Sequence, residues 1–165
     1  MSEEVRVDLI INAGWVIPMS PAGEVLENYS ILITDGKISH IIPTNRASGF
    51  ISEQIFDLPN HAVIPGLVNC HGHAAMTLLR GFAEDKPLAN WLQNFVWPLE
   101  QKFVSEKFVE DGTELAIAEM ILSGTTTFSD MYFFPEILAE VAISKGMRCQ
   151  ISFPILDFAT AWARN

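Results

Sequence analysis

Two histidines separated by a single glycine, His71-Gly72-His73, have the residue types and the spacing of metal ligands. Neutral imidazole is a favoured ligand of Zn²⁺ and related divalent metals. Side chains at positions i and i+2 of a strand point to the same face, so both rings can reach one ion. Gly72 lets the backbone come close to that ion. The motif therefore predicts two ligands of a metal site, with hydrogen bonding of both rings in a loop as the alternative.

The residues around this motif predict strands that alternate with helices. The apolar run over residues 63–71 is typical of a strand that is buried on both faces. It is followed by a predicted helical region, a strand, a helix and a strand, over residues 88–123, 125–129, 135–145 and 147–153. Ser105 is a predicted N-cap inside the helical region, and Gly124 ends it. This order makes two βαβ units and a parallel sheet, and in a (β/α) barrel the carboxyl ends of the strands form the catalytic edge.

The first sixty residues have a different pattern, with short strands separated by turns. Asp35-Gly36 lies between two apolar stretches and predicts a tight hairpin in a small antiparallel β unit. The predicted fold class is therefore α/β: three strands of a larger (β/α) barrel over residues 61–165, joined to the small antiparallel β unit over residues 1–60. Because a complete barrel takes about 250 residues, we expect the chain to be the N-terminal part of a longer protein.

The composition excludes several classes of partner. The 165 residues contain 10 Lys plus Arg against 20 Asp plus Glu, for a formal net charge of -10, which argues against nucleic acid or an anionic membrane surface as a partner. No apolar run approaches the roughly 18 residues that a membrane span requires. The two cysteines, Cys70 and Cys149, cannot form a disulfide framework, so we expect a cytoplasmic location.

Longer stretches around the histidines resemble a known family. Residues 65–81, PGLVNCHGHAAMTLLRG, follow a β unit that contains Ile11-Asn12-Ala13 and Asp35-Gly36-Lys37-Ile38, and this combination resembles the amidohydrolase superfamily. Together with Trp91-Leu92 and Trp97-Pro98-Leu99-Glu100, it is similar to the S-adenosylhomocysteine and 5'-methylthioadenosine deaminase branch. That branch also contains chlorohydrolases and guanine deaminases. The resemblance covers essentially the whole chain. It implies the first three strands of a (β/α)8 TIM-type metal-dependent hydrolase barrel over residues 61–165 and part of a small β-sandwich domain over residues 1–60.

The resemblance implies roles for four residues. His71 and His73 match the metal pair that follows the first barrel strand. Glu100 matches a carboxylate that receives the ribose hydroxyls of the substrate, with a solvated helix residue as the alternative. Trp91 matches an aromatic residue near the substrate, with core packing as the alternative. The other metal ligands and the groups that transfer protons are expected downstream of Asn165, so no catalytic residue is assigned within this chain.

The implied reaction is the metal-dependent hydrolytic deamination of a purine nucleoside such as S-adenosylhomocysteine, 5'-methylthioadenosine or adenosine, with release of ammonia. The implied metal is Zn²⁺, with Fe²⁺ or Mn²⁺ as alternatives, and the implied assembly is a homo-oligomer. Some members of the branch have an arginine near the end of the third strand, where this chain has Phe153. The alternatives are a guanine deaminase, a triazine chlorohydrolase, or an inactive fragment or binding module. Two imidazoles are fewer than the three protein ligands that a catalytic zinc usually takes, so we expect the fragment alone to be inactive.

Overall fold

Strands dominate the first part of the chain, whereas strands alternate with helices in the second part. These two parts form separate compact units, Met1–Pro65 and Gly66–Asn165. The computed structural model describes residues 4–83 and 85–163. The elements of the first unit are β1 (Val5–Arg6), β2 (Leu9–Val16), β3 (Leu26–Thr34), β4 (Lys37–Pro43), a 3₁₀ helix (Thr44–Gly49), β5 (Phe50–Ile51) and β6 (Gln54–Val63). Those of the second are β7 (Leu67–Asn69), a 3₁₀ helix (Ala74–Leu79), α1 (Leu88–Trp91), a π-helical turn (Leu92–Val96), α2 (Trp97–Phe103), α3 (Glu106–Leu122), β8 (Thr125–Met131), α4 (Pro135–Ser144) and β9 (Arg148–Ser152).

The first unit contains a four-stranded sheet in the order β4-β3-β2-β6. The β3–β4 hairpin turns at Asp35 and Gly36, whose φ angles of 52° and 68° are those of the predicted tight turn. The pairs β2–β3 and β3–β4 are antiparallel, but β6 runs parallel to β2. The prediction of an antiparallel unit is therefore wrong for β6, because the long connection through β3, β4 and β5 brings the chain back in the direction of β2. Residue 60, the predicted domain boundary, lies inside β6, and the division between the two units falls after Pro65.

The second unit contains a three-stranded parallel sheet in the order β7-β8-β9. Helix α3 connects β7 to β8, and α4 connects β8 to β9. The two predicted βαβ units are thereby confirmed. The core of this unit lies between the sheet and the two helices and is centred on buried apolar side chains, among them Val109, Ile117, Phe128 and Leu138. These contacts fix the carboxyl ends of the parallel strands relative to one another.

The strand predicted over residues 63–71 is wrong in its extent and its burial. Val63 belongs to β6, where it pairs with Val16, and β7 contains only Leu67–Asn69. Pro65, which has no N–H to donate to a ladder, separates the two strands. Val68 is 60% exposed, because β7 is an edge strand of the sheet that the described residues form.

The predicted helical region over residues 88–123 is divided into several helices. Val104 has the extended angles φ -66° and ψ 126°, which end α2. Ser105 then caps α3, with its Oγ accepting the N–H of Phe108 at 3.2 Å, so the predicted N-cap is confirmed. Gly124 follows α3 with a φ of 81°. None of the helices in residues 4–83 and 85–163 combines the length and the apolar character that a membrane span needs.

Candidate metal and substrate site

The two histidines lie in a loop beyond the end of β7, which stops at Asn69. The argument from strand alternation therefore does not apply to them, but the loop nevertheless brings their rings together. The ring centroids of His71 and His73 are 5.0 Å apart, with an interplanar angle of 85°. Two imidazoles that bind one tetrahedral ion at about 2 Å place their ring centroids roughly 5 Å apart. The separation of the rings thus fits two ligands of a single ion.

The hydrogen bond of the His73 ring determines which of its nitrogens is free. Nδ1 of His73 lies 2.7 Å from the carbonyl oxygen of Met131. A carbonyl oxygen only accepts hydrogen bonds, so the neutral ring carries its proton on Nδ1 and has a lone pair on Nε2. Metal-binding histidines usually donate their second ring nitrogen to a carbonyl or carboxylate in this way. His73 is therefore prepared to bind a metal through Nε2.

The loop that carries the two histidines, residues 70–73 (the histidine loop), is held by hydrogen bonds at the ends of β7 and β8. The N–H of Met131 donates to the carbonyl of Gly72 at 3.2 Å. The N–H of His71 donates to Oδ1 of Asn69 at 3.2 Å, and the N–H of Ala74 donates to a carboxylate oxygen of Asp130 at 2.5 Å. These bonds attach the backbone of the loop to the ends of β7 and β8, so the positions of both rings depend on these two strands.

Asp130 is a buried carboxylate next to the two histidines. It is 1% exposed, and its Oδ1 has no hydrogen-bond partner among the described residues. Burial raises the pKa of Asp130, whereas the bond from Ala74 and the proximity of the two histidines act in the opposite direction. An unpaired buried carboxylate oxygen beside two imidazoles is the environment that a cation would stabilise. The two imidazoles fit a divalent metal, but residues 4–83 and 85–163 contain no group of three His, Cys, Asp or Glu side chains placed to hold one.

Glu100 is also buried, at 9% exposure, although it lies on the short helix α2. The hydroxyl of Tyr132 donates to its Oε1 at 2.9 Å. Burial raises the pKa of Glu100, and the bond from Tyr132 and the proximity of His73 lower it. Burial also raises the pKa of the Tyr132 hydroxyl, which therefore stays a donor. These contacts exclude the alternative that Glu100 is a solvated helix residue.

A cavity of about 240 Å³ joins His73, Trp91 and Glu100, three of the four residues singled out from the sequence. His71 is not among the residues that line it. The rest of its wall is largely apolar and aromatic and consists of Met76, Leu92, Val96, Trp97, Met131, Tyr132, Phe133, Pro154 and Leu156. Cavities of this kind, with mainly apolar walls and a few polar groups, are typical of small-molecule sites. Trp91 lines this cavity rather than the central core, since it is not one of the buried core residues.

Two contributions to the site were not predicted from the sequence: the hydroxyl of Tyr132 and the carbonyl of Met131. Together with Asp130, whose carboxylate caps the loop, these residues are consecutive at the end of β8. Burial alternates along the end of β8, and this period of two places Phe128, Asp130 and Tyr132 on one side of the chain. Arg80, directly after the 3₁₀ helix Ala74–Leu79, donates two hydrogen bonds of 2.9 and 2.5 Å to the carboxylate of Glu119 of α3.

Comparisons with known proteins agree with the resemblance found in the sequence. Residues 62–164 match the amidohydrolase family. A 5-methylthioadenosine/S-adenosylhomocysteine deaminase of Saccharophagus degradans is 53% identical over 163 residues, which are 98% of this chain and 36% of that protein. A 5'-deoxyadenosine deaminase of Methanosarcina barkeri is 40% identical over 150 residues, which are 91% of this chain and 34% of that protein.

A solved structure has the same fold. The crystal structure of an adenosine deaminase from Xanthomonas campestris with bound zinc superposes with a TM-score of 0.93 at 43% identity, over 97% of this chain and 37% of that one. The chain thus spans between 34% and 37% of the length of these relatives. The named relatives are deaminases, and the resemblance to that branch is confirmed. Because the family match covers more than half of its residues, the chain belongs to the amidohydrolase family.

Proposed function

We propose that the gene product containing this chain is a metal-dependent deaminase that releases ammonia from a purine nucleoside. The observation that carries the proposal is the single cavity that His73, Trp91 and Glu100 line together. An imidazole, an aromatic ring and a buried carboxylate line one volume, and this combination supports the proposal. The deaminase names of the relatives support the same reaction, and their names support S-adenosylhomocysteine, 5'-methylthioadenosine or adenosine as substrates.

His71 and His73 are the proposed metal ligands in this chain. The ion is Zn²⁺ in the first instance, as in the Xanthomonas structure, with Fe²⁺ and Mn²⁺ as alternatives. When bound, such an ion would lower the pKa of its water to roughly 7 and would supply hydroxide at neutral pH. The carbonyl of Met131 holds the ring of His73 through Nδ1, and the backbone bonds to β8 hold the loop. The support for this assignment is the separation of the rings and the free Nε2.

Glu100 is the proposed acceptor of the ribose hydroxyls. An ionised carboxylate has about four lone-pair sites on its two oxygens, so it can accept the hydroxyls of a vicinal diol in addition to the bond from Tyr132. Its position on the wall that also contains His73 would place the base of a bound nucleoside toward the metal ligands. Fixing a substrate against the reacting group in this way is worth several kcal/mol of the barrier.

Trp91 is the proposed aromatic wall for the nucleoside. Stacking of a base on an aromatic side chain contributes about 1–3 kcal/mol. The support is its place in the lining of the cavity, next to the apolar side chains Met76 and Val96.

The larger assignments are part of the same proposal. The parallel sheet β7-β8-β9 would be the first three strands of a (β/α)8 barrel, over residues 61–165. Residues 1–60 would belong to a small β-sandwich domain. A homo-oligomer is the proposed assembly. The two free cysteines support a cytoplasmic location.

A substrate panel tests the proposal. The purified gene product is incubated with S-adenosylhomocysteine, 5'-methylthioadenosine, adenosine, guanine and a chlorinated triazine, and ammonia and chloride are measured. Ammonia from one or more of the purine nucleosides is the expected result. Ammonia from guanine alone, or chloride from the triazine alone, would replace the proposed reaction with one of its alternatives.

A further inference from the structure

Tyr132 is a buried tyrosine that makes a specific contact with the proposed ribose-binding carboxylate. It is 4% exposed, directly follows β8, and lines the same cavity as Glu100. Its hydroxyl donates to Oε1 of Glu100 at 2.9 Å, across 32 positions of the chain. The ring packs against Phe133, with centroids 5.2 Å apart. The sheet therefore supplies a fixed donor to a side chain that comes from α2.

The contact with Tyr132 engages only one of the two oxygens of Glu100. Oε2 makes no hydrogen bond with any side chain or backbone group of the described residues. In the described part of the chain, the side-chain oxygens that lack a hydrogen-bond partner and are sealed from solvent are Thr113 Oγ1 and Asp130 Oδ1. Oε2 of Glu100 is not one of them. Among the described residues, Oε2 therefore has no hydrogen-bond partner and is not sealed from solvent, whereas Oε1 is held by Tyr132.

Holding the carboxylate has an energetic consequence for a ligand. A glutamate side chain loses considerable rotamer freedom when a ligand immobilises it, at a cost of about 0.5–1.5 kcal/mol. The bond from Tyr132 fixes the carboxylate before the ligand arrives, so less of this cost falls on binding. Hydrogen bonds to a charged group are also stronger than those between neutral groups.

We propose that Tyr132 is a positioning residue, which holds Oε1 of Glu100 so that Oε2 is directed at the sugar diol of the substrate. The inference rests on the proposed function and adds a residue to it. It makes Tyr132 a determinant of the preference for nucleosides that have both ribose hydroxyls. Tyr132 acts through Glu100 and is not assigned a contact with the reacting atoms.

The test compares two substrates in two variants of the full gene product. Tyr132→Phe removes the hydroxyl and keeps the ring, and Tyr29→Phe removes the other tyrosine hydroxyl of this chain as a matched control. KM and kcat are measured for adenosine and for 2',3'-dideoxyadenosine, which has no diol. Tyr132→Phe is expected to raise KM for adenosine about tenfold, which corresponds to about 1.4 kcal/mol and is close to the lower bound for hydrogen bonds to charged groups. Its KM for the dideoxynucleoside, and both KM values of Tyr29→Phe, are expected to stay within about twofold of the unaltered protein.

The outcomes separate this inference from the proposed function. Equal changes for both nucleosides, or no change for either, would overturn the role of Tyr132 while leaving the deaminase assignment standing. Absence of ammonia from every nucleoside with the unaltered protein would overturn both.

A second measurement does not depend on the stability of the Tyr132→Phe variant. 3-Fluorotyrosine is incorporated at position 132 and its ¹⁹F resonance is recorded during titration with each nucleoside. We expect a larger shift with adenosine than with the dideoxynucleoside, because only the diol contacts the carboxylate that Tyr132 holds. Identical shifts with the two nucleosides would contradict the inference.

Discussion

Replacement of Gly112 by alanine tests how closely the histidine loop must pack against α3. A Cβ at position 112 would lie 2.5 Å from the carbonyl oxygen of Ala75 and 2.8 Å from its Cα, where ordinary contacts begin at 3.4 Å. Both of these neighbours are backbone atoms, so no side-chain rotation can relieve the contact. The 3₁₀ helix that begins directly after His73 would have to move away from α3 by about 0.9 Å, the difference between 3.4 and 2.5 Å.

The expected change in the free energy of unfolding follows from two opposing effects. Overpacking of this kind costs about 1–3 kcal/mol, and alanine in place of glycine within a helix returns about 1 kcal/mol. We therefore expect Gly112→Ala to lower the free energy of unfolding by about 1 kcal/mol. Because a misplacement of about 1 Å can reduce a catalysed rate by about 100-fold, the loss of activity should be far larger than the loss of stability.

Urea unfolding and deaminase activity of the gene product measure the two effects. Gly49→Ala is the matched control, since a Cβ at position 49 meets no atom within 4 Å and its backbone is not in the left-handed region. The control should retain both stability and activity. A Gly112→Ala protein that is more stable than the unaltered one and fully active would refute the close packing of Ala75 against α3.

Three further predictions follow from individual contacts. Ser105→Ala removes the N-cap of α3 and should destabilise the protein by about 1 kcal/mol in urea unfolding; an unchanged midpoint would contradict the cap. Cys149 should react with a thiol reagent more slowly than the exposed Cys70, because burial and a neighbouring carboxylate raise the pKa of its thiol. Each reaction rate is assigned with the single Cys→Ala variants, and a faster reaction of Cys149 than of Cys70 would be inconsistent with this environment. Burial raises the pKa of Glu100 above its ordinary value of 4.5 in the folded metal-free protein, so its stabilising contribution is present at low pH and is lost as the pH rises through the folded pKa. Glu100→Gln should therefore gain stability relative to the unaltered apoprotein as the pH rises above 4.5, and a stability difference that is independent of pH would contradict this.

Local signals in the sequence identified the elements that depend on a few neighbouring residues. Ser105 caps α3 because its hydroxyl reaches an N–H three residues along the chain, and Asp35-Gly36 turns because both residues adopt a positive φ. The approximate extents of β8, α4 and β9 follow from the same kind of local pattern. Such features require no knowledge of what lies across the fold.

Two features of the first unit that depend on which distant segments pair were not predicted. They are the parallel alignment of β6 with β2 and the assignment of Val63 to β6. Both depend on which strand is available to pair, and the hydrophobic periodicity of a sequence does not identify pairing partners. In the site, the histidine pair was predicted from spacing alone, although the reason for its geometry is a loop attached to β8 rather than a strand. The bond between Tyr132 and Glu100 joins a strand end to a helix, so only the folded chain reveals it.

The central claim, that His71 and His73 hold a divalent metal in a deaminase, is tested most directly by metal analysis of the purified gene product. His71→Asn and His73→Asn are compared with His40→Asn and His61→Asn, which change the other two histidines of this chain. We expect one divalent metal ion per chain, zinc in the first instance, in the unaltered protein and in the two control variants. The ion should be largely absent from the His71→Asn and His73→Asn proteins. Retention of a full complement of metal by both of these variants would contradict the account.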